Sequence, residues 1–106
     1  MEVKINIQDD WILAQFIGML DTPATEIIQP KIDEIIANAS KNVKIDLAEL
    51  SYIASAGIRQ LLAIRKVTVE AGTEFVIENV QPAVYKVFKV TNLDRIFKLT
   101  NVSETY

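Results

Sequence analysis

The chain has 106 residues, 50% of them hydrophobic and 24% charged, enough for one compact domain around a single core and for little beyond it. It contains no Cys and no His, which excludes disulfides, thiolate nucleophiles, imidazole bases and the usual zinc-ligand sets. Eleven basic residues against 14 acidic ones leave a net charge of −3, the wrong sign for a nucleic-acid binder.

Met1-Glu2-Val3-Lys4 lacks the basic-then-apolar layout of a signal peptide, and the apolar run Trp11 to Leu20 is too short to span a bilayer. A cytoplasmic location without a membrane partner is expected. Val3, Ile5 and Ile7 alternate with polar residues as in a strand with one wet face, and Asp9-Asp10 supply a turn into its hairpin partner, Trp11 to Gly18. Thr22-Pro23 reads as an N-cap followed by proline at the first helical position, opening a helix to about Ala39. Ile27, Ile28, Ile32, Ile35, Ile36 and Ala39 form its expected buried stripe, with a kink or late start at Pro30.

Val43 to Leu47 is β-branched and apolar at alternate positions, as an interior strand should be. It leads through Ser51-Tyr52-Ile53 into a helix from about Ala56 to Ala71. Ile58, Leu61, Leu62, Arg65 and Val69 share one side of that helix, and Gly72 suits its left-handed C-terminus. Thr73 to Glu78 is a further strand. Pro82 opens a third helix whose Val84, Val87 and Phe88 share a face and which Asn92 can close, and a mixed tail from Asp94 holds one short edge element and a frayed end. Trp11, Phe16, Phe75 and Phe88 fit core or strand packing. The order predicts a single α/β domain over 1–106, core about 3–98, with a mixed, mostly parallel sheet of four to five strands packed with helices.

The informative stretch is Lys44 to Leu62, where a strand ends and Ser55 stands at the mouth of a helix, facing unpaired N–H groups and the positive end of the dipole. That is a place suited to hold an anion, or Ser55 simply caps the helix with its oxygen. Gly57 lets the helix sit close to a strand.

The run Val43 to Leu62, with the small residues Ser55-Ala56-Gly57 opening a helix, resembles the STAS domain family, whose bacterial members include the anti-sigma factor antagonists. Gly18-Met19-Leu20-Asp21, Asp46-Leu47, Gly72, Asn79-Val80-Gln81-Pro82 and Thr91 to Phe97 match the family pattern in order. The resemblance implies that Ser55 is the phosphoacceptor and that Asp21, Ala54, Ser55, Ala56, Gly57, Ile58 and Arg59 bind a partner. Two departures stand beside the acceptor, because Ala54 replaces the family's Asp and Ala56 its second hydroxyl residue. The implied mechanism is a partner switch. Unphosphorylated, the chain would bind an anti-sigma factor of the histidine-kinase-like ATPase class, itself the serine kinase, and phosphoserine would release it; a serine phosphatase is a further implied partner. No cofactor, metal or catalytic residue is expected.

Two other classes remain open. A STAS docking or ligand-sensing module of a transport system or larger signalling assembly would keep the fold without the phosphorylation. An enzyme would need Asp21 and Asp46 as an acid/base pair or cation site, against their ordinary use as turn and cap residues, and Ser55 has no His to activate it.

Overall fold

The computed structural model describes residues 1–102. Its elements run β1 (Glu2–Ile7), β2 (Trp11–Leu20), α1 (Thr22–Ala37), β3 (Asn42–Ile53), α2 (Ser55–Ala71), β4 (Phe75–Glu78), α3 (Pro82–Val90), a short 3-10 turn (Leu93–Arg95) and β5 (Lys98–Thr100). The five strands form one sheet in the order β1-β2-β3-β4-β5, with β1 antiparallel to β2 and every other pair parallel. β5 is the expected edge element. The expected frayed end falls on 103–106, outside the described residues.

Register decides which face is dry. Val3, Ile5 and Ile7 pair with Phe16, Ala14 and Ile12, and Val43 and Ile45 pair with Phe75 and Ile77, so these side chains share one face of the sheet. That face joins Ile28, Ile32 and Ile35 of α1, Leu61 and Ile64 of α2 and Val84 and Phe88 of α3 in one core. Three right-handed crossovers stepping one strand at a time put all the helices on that same side. The opposite face carries Trp11, Leu13, Gln15, Lys44, Asp46 and Glu78, all half-exposed, with the Lys44 ammonium 5.1 Å from the Trp11 ring centre. Phe97 closes the core beyond α3 by packing on both Phe88 and Phe75.

Several expectations need correction. Asp21, not Thr22, is the N-cap of α1: its backbone is extended and its Oδ1 accepts from the Ala24 N–H at 2.9 Å. Within α1 the buried stripe runs Ala24, Thr25, Ile28, Ile32 and Ile35, while Ile27 is 71% exposed and Ile36 only half-buried. The helix passes Pro30 without the late start. Proline leaves the Glu26 carbonyl without its helical donor, but both residues lie on the exposed side, where water can supply one. In α2 the buried face is Gly57, Gln60, Leu61, Ile64 and Thr68, so Val69 points outward at 58% exposure and Ile58, Leu62 and Arg65 lie at the margin.

β3 is much longer than Val43 to Leu47. It continues to Ile53 because two register irregularities against β2, between Gln15 and Ile17 and between Gly18 and Met19, let it stay paired while its alternation breaks. Beyond Leu47 the inward residues are Leu50 and Ile53, three apart instead of two. Gly18 sits at the second irregularity with φ +115, a conformation that side-chain-bearing residues rarely adopt. Gly72 and Asn92 close α2 and follow α3 in the left-handed conformation expected of them.

Candidate functional site

Two helices start from neighbouring strand ends. Leu20 ends β2, Ile53 ends β3, and the two are register partners. The next residues, Asp21 and Ala54, are the N-caps of α1 and α2, and the Ala54 N–H donates to the Leu20 carbonyl at 2.9 Å. Backbone pairing therefore sets Asp21 beside the loop that carries Ser55.

Ser55 is the first residue of α2, not its cap. Ala54 has extended backbone, and its carbonyl accepts from the Gly57 and Ile58 N–H groups at 3.0 and 3.1 Å. No side chain caps α2, and among the described residues the exposed Ser55 hydroxyl makes no hydrogen bond. The dipole's positive end and uncapped N–H groups thus lie open beside a free hydroxyl. α1 differs in having the Asp21 carboxylate at the same place.

Gly57 is buried and in close approach. A Cβ there would lie 2.7 Å from both Cδ2 and Cγ of Leu20, closer than real carbon contacts allow, and 3.0 Å from Cγ1 of Ile53, tighter than most. A missing side chain therefore seats the start of α2 directly on the two strand ends. Ala54, Ala56 and Ile58 are half-buried around it, and Arg59 is exposed one turn beyond Ser55. The seven residues expected to bind a partner thus fall at one end of the molecule.

Two residues of this region escaped the sequence reading. Met19 and Tyr52 are register partners, 55% and 45% exposed, on the strand ends that lead into Asp21 and Ala54. Alternation against buried Leu20 and Ile53 is the signal that would have found them. Large apolar side chains left in water next to a free hydroxyl suit contact with another protein.

Asp46 belongs elsewhere. It pairs with Gln15 in register, six residues before Asp21 on β2, which places the two carboxylates about 20 Å apart along the strand. Its Oδ1 accepts from the Ala48 N–H at 3.0 Å and the Asn79 amide at 3.1 Å, and Oδ2 from Gln15 at 3.5 Å. These bonds hold the irregular part of β3 to the end of β4, a structural task, and the proposed acid/base pair does not form. Among the described residues no group of three or more His, Cys, Asp or Glu could hold a metal ion, and no helix is long and apolar enough to cross a membrane.

This one-sided α/β domain offers, at one end, an uncapped helix N-terminus with a free serine. The chain belongs to the STAS domain family, whose model matches residues 2–106. Among relatives, it is 26% identical over 104 residues to BtrV of Bordetella bronchiseptica, assigned as an anti-sigma factor antagonist, covering 98% of this chain and 90% of that one. Among solved structures it resembles an anti-sigma factor antagonist from Mycobacterium paratuberculosis, at TM-score 0.81 and 22% identity over 92% of this chain and 83% of that one. It also resembles the anti-sigma factor antagonist SpoIIAA in its unphosphorylated form, at TM-score 0.78 and 20% identity over 97% and 90% of the two chains. The phosphorylated form of SpoIIAA, from Bacillus, matches at TM-score 0.73 and 20% identity over 97% and 93%.

Proposed function

We propose that this chain is an anti-sigma factor antagonist that works in the cytoplasm as a phosphorylation-controlled partner switch. In the unphosphorylated state it binds an anti-sigma factor of the histidine-kinase-like ATPase class through Asp21, Ala54, Ser55, Ala56, Gly57, Ile58 and Arg59. The same partner phosphorylates Ser55 and releases the product, and a serine phosphatase returns it to the binding state. The chain acts by binding and contributes no catalytic residue.

The observation that carries this reading is Ser55, an exposed, unengaged hydroxyl on the first residue of an uncapped helix. Its setting explains how one modification could act without refolding. A phosphoserine adds a charge of about −1.5 to −2 at pH 7, which the start of α2 tolerates in the free domain. At a closed contact the same charge meets partner groups selected to fit a neutral hydroxyl, and like charges brought together there cost several kcal/mol. A loss of about 2.7 kcal/mol is already two decades in affinity. The names of the relatives and of the solved structures support an anti-sigma factor as the partner, and its kinase class is carried by the family resemblance alone.

A second reading is favoured by one observation. Ala54 and Ala56 leave Ser55 without a neighbouring carboxylate or hydroxyl, as would suit a docking or ligand-sensing module that is never phosphorylated. Intact-mass measurement of the protein from its native cells, in growth and under stress and with fragmentation to locate any added phosphoryl group, separates the two. The switch requires phosphate on Ser55 that changes with condition. An unmodified chain in every condition supports the docking module.

A further inference from the structure

The two edges of the sheet are finished differently. β5 is three residues long, Lys98–Thr100, and so short an edge offers little to a further strand. β1 runs for six residues without proline, and its register against β2 has no irregularity. At the turn into β2, Gln8 and Trp11 exchange backbone hydrogen bonds at 2.8 and 3.3 Å. Antiparallel alternation from that pair gives Asn6, Lys4 and Glu2 the bonds to β2 and turns the N–H and C=O groups of Val3, Ile5 and Ile7 outward. Among the described residues no strand or side chain takes these groups. The side chains of the same three residues point to the core face, where Val3 is buried, Ile5 half-buried and Ile7 45% exposed. No core-facing charge guards this edge. The helix beside it is apolar there as well. Thr25 and Gln29 meet Gln60 of α2, so Ile27, two residues from each, lies on the opposite side of α1, toward β1, and is 71% exposed.

We infer that this edge pairs with a second copy of the chain, β1 antiparallel to β1 about a twofold axis at Ile5, joining the two five-stranded sheets into one. In that register Ile5 opposes Ile5 of the other copy and Val3 opposes Ile7. Every outward group of both strands then finds a partner, and the exposed Ile7 is covered. On the other face Lys4 meets Asn6 and Glu2 meets Gln8, so no like charges are opposed. Moving the axis to Lys4 would set two ammonium groups directly opposite each other, and moving it to Asn6 would set Val3 against the turn at Asp9. The twofold makes β2 of the two copies run in opposite directions, which sends the two Ser55 sites to opposite ends of the joined sheet and leaves both open. The pairing is therefore independent of the function proposed above. Six residues per strand make a small contact of roughly 1,000 Å², which suits a weak dimer dissociating at roughly 10–100 µM.

The test is sedimentation equilibrium of the whole chain from about 5 to 500 µM, which brackets that range, together with amide exchange read residue by residue. The mass should rise from one chain toward two, and the Val3, Ile5 and Ile7 amides should exchange more slowly as concentration rises. Ile7→Lys puts a charge on the edge at an exposed position and should weaken the dimer at least about tenfold with little change in unfolding midpoint. Because the chain has no Cys, Lys4→Cys mixed with Asn6→Cys should cross-link on oxidation while Lys4→Cys alone should not, since only the mixed pair lies within disulfide reach. A one-chain mass at every concentration would overturn the inference, whatever other strand the edge accepts. So would a dimer in which those three amides exchange unchanged, or in which Ile7→Lys associates as tightly as wild type. Stronger cross-linking of Lys4→Cys with itself than with Asn6→Cys would overturn the assigned register.

Discussion

The Gly57→Ala variant tests how the start of α2 is held against the sheet. Its new methyl would lie 2.7 Å from two carbons of Leu20 and 3.0 Å from Ile53, where ordinary contact begins near 3.4 Å. Leu20 is fully buried and Ile53 nearly so, and each sits at the end of a paired strand, so neither side chain can swing into solvent. Overpacking of a closed core costs about 1–3 kcal/mol, in the upper part of that range for two contacts at 2.7 Å, and the better helix propensity of Ala returns at most about 1 kcal/mol. A net loss of about 1–2 kcal/mol follows, equivalent to roughly 5–15 °C in the melting temperature of a domain this size. Urea unfolding monitored by circular dichroism measures it, with an unchanged m-value expected because the folded surface hardly changes. Adding Leu20→Ala removes both of the carbons that the methyl would meet, so the double variant should be more stable than the sum of the two single losses predicts. A Gly57→Ala protein as stable as wild type, or more so, would refute the claim that close approach requires glycine here.

The remaining predictions concern a network, a helix and a cap. Asp46→Ala removes the acceptor shared by Ala48 and Asn79, and should cost about 1–3 kcal/mol in urea unfolding while speeding amide exchange at Ala48. Pro30→Ala restores a donor to the middle of α1 at an exposed position, and should raise stability by about 1–2 kcal/mol after allowing for the more flexible unfolded chain. Asp21→Ala removes the side-chain N-cap of α1 and should cost about 1 kcal/mol in thermal unfolding. If that variant, still folded at 25 °C, binds the anti-sigma factor unchanged, Asp21 is a cap and nothing more.

Much of the fold is legible in the sequence because its periodicity is clean where one face is dry. β1 and the first half of β2 alternate strictly, and Pro82 and Gly72 mark helix ends where the structure has them. The failures have particular causes. β3 was cut short because its register irregularities replace a spacing of two by a spacing of three between Leu47, Leu50 and Ile53. On α2 the buried side includes Gln60 and Thr68, whose amide nitrogen and hydroxyl donate to the backbone carbonyls of Thr25 and Arg65, so an apolar template rotates the stripe toward Val69. Ile27 looks like core by composition and lies off the stripe that Ile28, Ile32 and Ile35 define. At the site, the position of Ser55 was legible to within one residue, but that Ala54 takes the cap depends on where β3 ends. That Gln60 ties α2 to Thr25 and Gln29 of α1 was not legible at all, since it needs the two helices side by side.

In the proposed switch, one phosphate on Ser55 controls binding. The most direct measurement is the affinity of the anti-sigma factor for this protein unmodified and for the same protein carrying phosphate mapped to Ser55, at one ionic strength near 0.15 M. Phosphorylation should weaken the complex by about two decades or more, with the circular dichroism of the free domain unchanged. Equal affinity of the two forms would contradict it and leave Ser55 as an ordinary first residue of a helix.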